Sequence, residues 1–232
     1  MKELGMIGGT SWHSTVEYYA GINQAINDHY DGNVNPPLVL INLNQKQIHD
    51  LQRSDDWDVI GDIMVTAGQK LQSIGVDAIS FCANTPHKVY EQLQASLSIP
   101  VLHVADAIGD NLKSNGFDTV GLIGTRFTMA EDFIKGRLLE RYQVKTLVPP
   151  ASEQGEIQEA LYNKLSMGVF DDETKALFLK IIESLKERGA QAVILGCTEF
   201  PLLLKDVYCS IPLIDSLQCH TDSLVQYILD QA

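Results

Sequence analysis

Ala78-Ile79-Ser80-Phe81-Cys82-Ala83-Asn84-Thr85-Pro86 in the first half of the chain is answered in the second half by Ala192-Val193-Ile194-Leu195-Gly196-Cys197-Thr198-Glu199-Phe200-Pro201. Each stretch is an apolar run of strand length that breaks into a cysteine and polar residues, with a proline four residues after the cysteine. The two cysteines are 115 residues apart in a chain of 232. Outward from them, Gly5-Met6-Ile7-Gly8-Gly9-Thr10 recurs as Gly121-Leu122-Ile123-Gly124-Thr125, and Ser98-Ile99-Pro100-Val101-Leu102 as Ser210-Ile211-Pro212-Leu213-Ile214. Three segments repeated in one order at nearly constant offset mean two copies of one domain rather than a solenoid.

Continuous apolar runs fall at 4–8, 38–43, 78–82 and 101–104, and again at 120–124, 144–148, 192–197 and 213–215. Runs without alternation suit strands covered on both faces. Between them lie helical patterns at about 14–29, 55–74, 86–97, 105–115, 127–141, 153–167, 172–188, 201–208 and 216–230. The alternation predicts an α/β protein of two pseudo-symmetric domains, each a four-stranded parallel sheet flanked by helices. Binding groups gather at the carboxyl ends of such strands, and the active site is expected in the cleft between the domains. The expected division is 1–103 plus 213–232, with the last helix packing back on the first domain, and 104–212.

A formal net charge of −13 disfavours nucleic acid and anionic membranes as partners. No apolar run approaches the roughly 20 residues of a membrane span, and Gly5, Gly8, Gly9, Ser11 and His13 interrupt the apolar start before a signal-peptide core forms. Four cysteines without a secretion signal read as reduced thiols of a cytoplasmic protein, and without CxxC spacing a metal site is not expected.

Cys82 and Cys197 each close a buried strand beside polar residues, where a thiol can serve as an acid or base. Two thiols facing one carbon can remove a proton on one side and return it on the other. The Cys209 and Cys219 thiols have no partner in the repeat and read as small buried hydrophobes. Asn84, Thr85 and Thr198 offer neutral donors for a carboxylate, as do Thr10, Ser11 and Thr125, and all also suit helix capping. Glu199 is either a helix-start residue or a partner for a substrate ammonium. His87 reads as structural, and Lys164, on a helix whose apolar face is Ile157, Leu161 and Leu165, as a surface lysine. The Gly5-x-x-Gly8-Gly9 spacing is not a dinucleotide fingerprint; these glycines let backbone approach a small substrate.

The chain resembles the aspartate/glutamate racemase superfamily over essentially its whole length, and most closely the cofactor-independent aspartate racemases. The resemblance rests on Gly5-Met6-Ile7-Gly8-Gly9-Thr10-Ser11-Trp12, on Cys82-Ala83-Asn84-Thr85-Pro86-His87 and on Leu195-Gly196-Cys197-Thr198-Glu199-Phe200-Pro201-Leu202-Leu203. It implies interconversion of L- and D-aspartate, with glutamate as a further substrate, by Cys82 and Cys197 exchanging the roles of base and acid, with no cofactor and in a homodimer. It also implies that Thr10, Gln52, Ala83, Asn84, Thr85 and Lys164 contact the amino acid, Lys164 as the anchor of the side-chain carboxylate. Glutamate racemases usually carry His after the second Cys-Thr pair; Glu199 here argues for the aspartate branch. Ala83 reads as an insertion relative to the commoner Cys-Asn-Thr. Related alternatives are a hydantoin racemase and a single-thiol maleate isomerase or malonate decarboxylase. A non-catalytic amino-acid sensor is a further alternative.

Overall fold

In a computed structural model that describes residues 1–205 and 207–230, the chain divides into two compact units, Met1–His103 with the chain from His220 onward, and Val104–Cys219. The first unit holds β1 (Leu4–Gly8), α1 (Trp12–Tyr30), β2 (Leu38–Asn42), α2 (Gln45–Arg53), α3 (Trp57–Ser73), β3 (Ala78–Phe81), a 3₁₀ turn over Thr85–Val89, α4 (Tyr90–Ala95) and β4 (Val101–Leu102). The second holds α5 (Val104–Ser114), β5 (Thr119–Gly124), α6 (Arg126–Ala130), α7 (Asp132–Tyr142), β6 (Lys145–Leu147), α8 (Ala151–Asn163), a 3₁₀ turn over Leu165–Met167, α9 (Asp172–Glu187), β7 (Val193–Gly196), α10 (Glu199–Leu203) and β8 (Leu213–Asp215). Helix α11 (Ser216–Leu229) begins in the second unit and belongs to the first from His220.

Both sheets are four-stranded and parallel, ordered β2-β1-β3-β4 and β6-β5-β7-β8. The α/β architecture read from the sequence is the observed one, with one boundary corrected. β8 pairs with β7, so residues 213–219, assigned with the last helix to the first domain, belong to the second unit. Residues 231–232 of that expected segment, and Asp206 within the expected helix over 201–208, lie outside the described residues.

The central strands β1, β3, β5 and β7 are buried on both faces because alternate residues enter different cores. In the second unit Ile123, Val193 and Leu195 pack with Phe178, Ile181 and Leu185 of α9. On the other face Val120, Leu122, Ala192 and Ile194 pack with Ile108 and Leu112 of α5 and Ile134 and Leu138 of α7. In the first unit Ile7, Ile79 and Phe81 meet Ile60, Met64 and Leu71 of α3. Full burial of such a side chain contributes about 1.5–3 kcal/mol.

The internal repeat reaches the hydrogen bonds. Asp77 N donates to the Glu3 carbonyl as Gln191 N does to the Thr119 carbonyl, both at 2.8 Å; Ile79 N donates to the Pro100 carbonyl as Val193 N does to the Pro212 carbonyl, both at 2.9 Å. Gly5 and Gly121 are equivalent close approaches. A Cβ on Gly5 would stand 3.1 Å from Leu71 Cδ1 and 3.1 Å from Val76 Cγ2, and one on Gly121 would stand 2.9 Å from Leu185 Cδ1 and 3.0 Å from Val193 Cγ2.

Helix α2 was not expected. It is nine residues long and mostly polar, with Ile48 its only buried residue, and its start is set by Asn44, whose Oδ1 accepts from Lys46 N at 3.1 Å and Gln47 N at 3.4 Å. The long helices expected at 127–141 and 153–167 are each broken in two, as α6 with α7 and as α8 with a 3₁₀ turn.

The face of the first sheet away from α3 carries polar groups in its core. His220 Nδ1 lies 2.8 Å from the Tyr18 hydroxyl and its Nε2 lies 3.5 Å from Ser80 Oγ, while the His87 ring is 4.5 Å from that of His103 and 5.7 Å from that of His220. Burial, reinforced by the neighbouring His87, depresses the His220 pKa from 6.5 to about 3. The folded state therefore refuses a proton that the unfolded chain takes up below pH 6.5. This contribution is complete above pH 6.5 and is lost as pH falls towards about 3, at about 1.4 kcal/mol per pH unit. Urea midpoints should fall between pH 7 and pH 5, and His220→Gln should flatten that fall even where it lowers stability at every pH.

Candidate active site

In the first unit the candidate residues collect at the carboxyl ends of β1, β2 and β3, which are neighbours in the sheet. Gly9 follows β1 with φ +84°, and its N–H donates to Thr15 Oγ1 at 2.9 Å. This turn delivers Thr10, 6 % exposed, whose carbonyl lies 3.1 Å from His49 Nε2 on α2. Gln52 is half-buried one turn further along α2. Ser11 caps α1 by accepting from Ser14 N at 3.3 Å. After β3, Ala83, Asn84 and Thr85 are half-buried, and the Asn84 carbonyl accepts from His87 Nδ1 at 3.0 Å and from His87 N at 3.1 Å, which holds the loop in its 3₁₀ turn.

Cys82 is 1 % exposed, and burial pushes its thiol pKa far up. Its backbone N–H donates to the Ile7 carbonyl at 3.0 Å, so it still belongs to the sheet ladder.

In the second unit Thr125 and Cys197 leave the adjacent strands β5 and β7. Thr125 caps α6, its Oγ1 lying 3.3 Å from Thr128 N and 3.0 Å from Thr128 Oγ1. Cys197 is partly exposed and its thiol donates to Glu199 Oε2 at 2.8 Å; Thr198 Oγ1 donates to the same oxygen at 3.0 Å. Burial raises the Cys197 pKa well above that of an ordinary thiol, and the Glu199 charge and hydrogen bond raise it further. The Glu199 carboxylate thus accepts the hydrogen bond of the Cys197 thiol and also opens α10; the sequence reading offered it as a helix-start residue or a partner for a substrate ammonium, not as a partner of Cys197.

Removing that charge reverses its part of the shift. Glu199→Gln should let Cys197 titrate at lower pH, so that its alkylation by iodoacetamide at fixed pH, followed on the Cys197 peptide, becomes faster.

Lys164 ends α8 beside a surface cavity of about 340 Å³ that Glu156, Glu159, Asn163 and Glu173 also line. Its ammonium is held by Asp171 Oδ2 and Glu173 Oε2, each at 3.0 Å, and these raise its pKa. A substrate carboxylate would have to displace one of them. Among the described residues no group of three or more His, Cys, Asp or Glu side chains is placed to hold a metal ion, and no helix is long and apolar enough to cross a membrane.

Two parallel-sheet units that end their paired central strands in thiol, hydroxyl and amide groups define a class of small-molecule enzyme. The model of the Asp/Glu/Hydantoin racemase family matches residues 7–224. The chain belongs to that family and is an amino-acid racemase, an isomerase. Among solved structures it is similar to a candidate Asp/Glu racemase from Yersinia pestis, with 33 % identity, a TM-score of 0.94 and coverage of 99 % of this chain and 100 % of the other. It is also similar to an aspartate racemase homologue from Pyrococcus horikoshii OT3, with 30 % identity, a TM-score of 0.85 and coverage of 99 % and 100 %. A broad specificity amino-acid racemase, RacX of Bacillus subtilis (strain 168), is 27 % identical over 177 residues, 76 % of each chain.

Proposed function

We propose that the protein interconverts L- and D-aspartate, and by extension glutamate, without a cofactor, by proton transfer at Cα. The observation that carries this reading is the partly exposed Cys197 thiol at the end of β7, hydrogen-bonded to the Glu199 carboxylate. Cys197 serves one face of Cα. The family resemblance assigns the other face to Cys82, but that thiol is 1 % exposed and its residue stays in the sheet ladder at the end of β3.

In this reading backbone amides and the Asn84, Thr85 and Thr198 side chains receive the α-carboxylate, and Thr10, Gln52 and Thr125 are further contacts of the amino acid. As the Cα proton leaves, charge spreads into this carboxylate, and donors already in place stabilise it with little reorganisation. Glu199 in place of the histidine usual in glutamate racemases favours aspartate over glutamate, and Lys164 is the cation proposed for the side-chain carboxylate, in exchange for Asp171 or Glu173. Four free cysteines suit a reducing cytoplasm, and a homodimer is the assembly the family resemblance implies.

The test is incubation of the purified protein with each L-amino acid in deuterated water, with chirality and Cα deuteration both followed. Aspartate should lose optical purity and gain deuterium without added cofactor. No inversion of any amino acid would overturn the reading.

A further inference from the structure

The equivalence of Cys82 and Cys197 rests on counting back from Pro86 and Pro201, and the strand registers disagree with it. In the first sheet Gly5 pairs with Ile79 and Ile7 with Phe81; in the second Gly121 pairs with Val193 and Ile123 with Leu195. The flanking hydrogen bonds match Asp77 with Gln191 and Ile79 with Val193, both at an offset of 114. At that offset Cys82 corresponds to Gly196, which pairs with Gly124, and Ala83 corresponds to Cys197. Pro86 stands five residues after Phe81 but Pro201 stands six after its counterpart Leu195, so alignment on the prolines slips by one place.

The pleat gives the same answer independently. Successive strand residues face opposite sides of a sheet. Ile79 and Phe81 enter the core against α3, while Ser80 faces His220 on the other side, and Cys82 shares the parity of Ser80. In the second unit Cys197 packs with the core of Val193 and Leu195, the counterparts of Ile79 and Phe81. Cys82 and Cys197 therefore leave opposite faces of their sheets, and the residue with the parity of Cys197 is Ala83. Exposure agrees: Cys82 is 1 % exposed, whereas Ala83 and Cys197 are both partly exposed.

From this we infer that Ala83 occupies the first unit's acid/base position, so that the enzyme works with one thiol, Cys197, and Cys82 is a structural residue of the β3 end. Ala83 is thus not an insertion into a Cys-Asn-Thr motif. The inference rests on the racemase reading for its chemistry. The Cys197 thiolate takes the Cα proton, becoming S–H, and the electron pair of the broken C–H bond passes into the enolate of the α-carboxylate. Return of a proton from the same thiol regenerates the starting enantiomer. Inversion needs a proton on the far face, and a methyl side chain carries none, so solvent water supplies it and the hydroxide left behind is neutralised by the proton still on Cys197. Same-face return is thereby the easier route.

The experiment compares parental protein with Cys82→Ala, Cys197→Ser and Ala83→Cys. Cys82→Ala should keep turnover within about threefold, since it touches no transition-state contact, while Cys197→Ser should lose about 10²–10⁴-fold. Ala83→Cys should raise inversion about tenfold or more by supplying the missing acid. In deuterated water the unreacted parental substrate should gain deuterium faster than it inverts. A folded Cys82→Ala protein as inactive as Cys197→Ser would overturn the inference. Alkylation of the native protein gives a readout that needs no activity: Cys82 should resist iodoacetamide until the protein is unfolded, and the thiol of Ala83→Cys should react in the native state. A reactive native Cys82 would overturn the placement even if no amino acid were inverted, whereas absence of turnover with this labelling pattern would overturn only the racemase reading.

Discussion

Cys197→Ser should reduce Cα proton transfer by about 10²–10⁴-fold, the span over which a positioned acid or base contributes. A hydroxyl in place of the thiol has nearly the same shape and accepts the same neighbours. It is a far weaker acid, however, so its conjugate base is scarcely populated at neutral pH. The hydrogen bond to Glu199 at 2.8 Å survives in outline, so the fold is retained. Turnover with aspartate, read by polarimetry, and wash-out of deuterium from Cα-deuterated aspartate should fall together. A serine variant that retained either at the parental rate would remove the thiol from the mechanism. The pH dependence carries a second expectation. Because burial and Glu199 raise the Cys197 pKa, the rate should climb with pH well past neutrality.

Gly9→Ala is expected to produce the largest loss of stability from a single methyl group. Gly9 holds φ +84°, a conformation that costs an L-residue about 1–2 kcal/mol. The added Cβ would also collide with the backbone of Leu43, and overlap of that kind costs about a further 1–3 kcal/mol. The total, about 2–5 kcal/mol, is a large share of an ordinary domain's stability and would appear as a lower urea midpoint at unchanged slope. Leu43 N also donates to the Gly8 carbonyl at 2.9 Å, so the strand ends cannot separate to make room without losing that bond. Thr10 follows directly, and its displacement should weaken substrate binding in whatever fraction remains folded.

The parallel sheets were legible because Leu4–Gly8 and its counterpart at 120–124 are unbroken apolar runs at repeat-related positions, and burial on both faces leaves no polar residue to blur them. Helix α2 was not, because nine mostly polar residues with only Ile48 and Leu51 apolar are too short a stretch to stand out from a loop. The boundary near residue 213 was misplaced because the strand read at 213–215 runs straight into the last helix, and the two were assigned together although only the helix from His220 belongs to the first unit. The candidate site was legible in kind, since cysteines, threonines and Asn84 were found where strands end. Its register was not. Proline spacing and strand spacing differ by one residue, and only the pairing of Ile7 with Phe81 and of Ile123 with Leu195 shows which to count from. The ion pairs of Lys164 with Asp171 and Glu173 were likewise hidden, because they depend on a turn between α8 and α9 that no local pattern announces.

The crossing made by α11 has a temporal consequence. Tyr18 lies in α1, yet the imidazole it meets, His220, is added 202 residues later in synthesis. The second unit, lying wholly within Val104–Cys219, has all its strands once β8 is made, whereas the earlier-made unit waits with an unfilled place beside Tyr18 and Ser80. Birth order and maturation order are therefore reversed along this polypeptide. A nascent chain halted at residue 219 should carry a protease-resistant later half and a protease-sensitive earlier one.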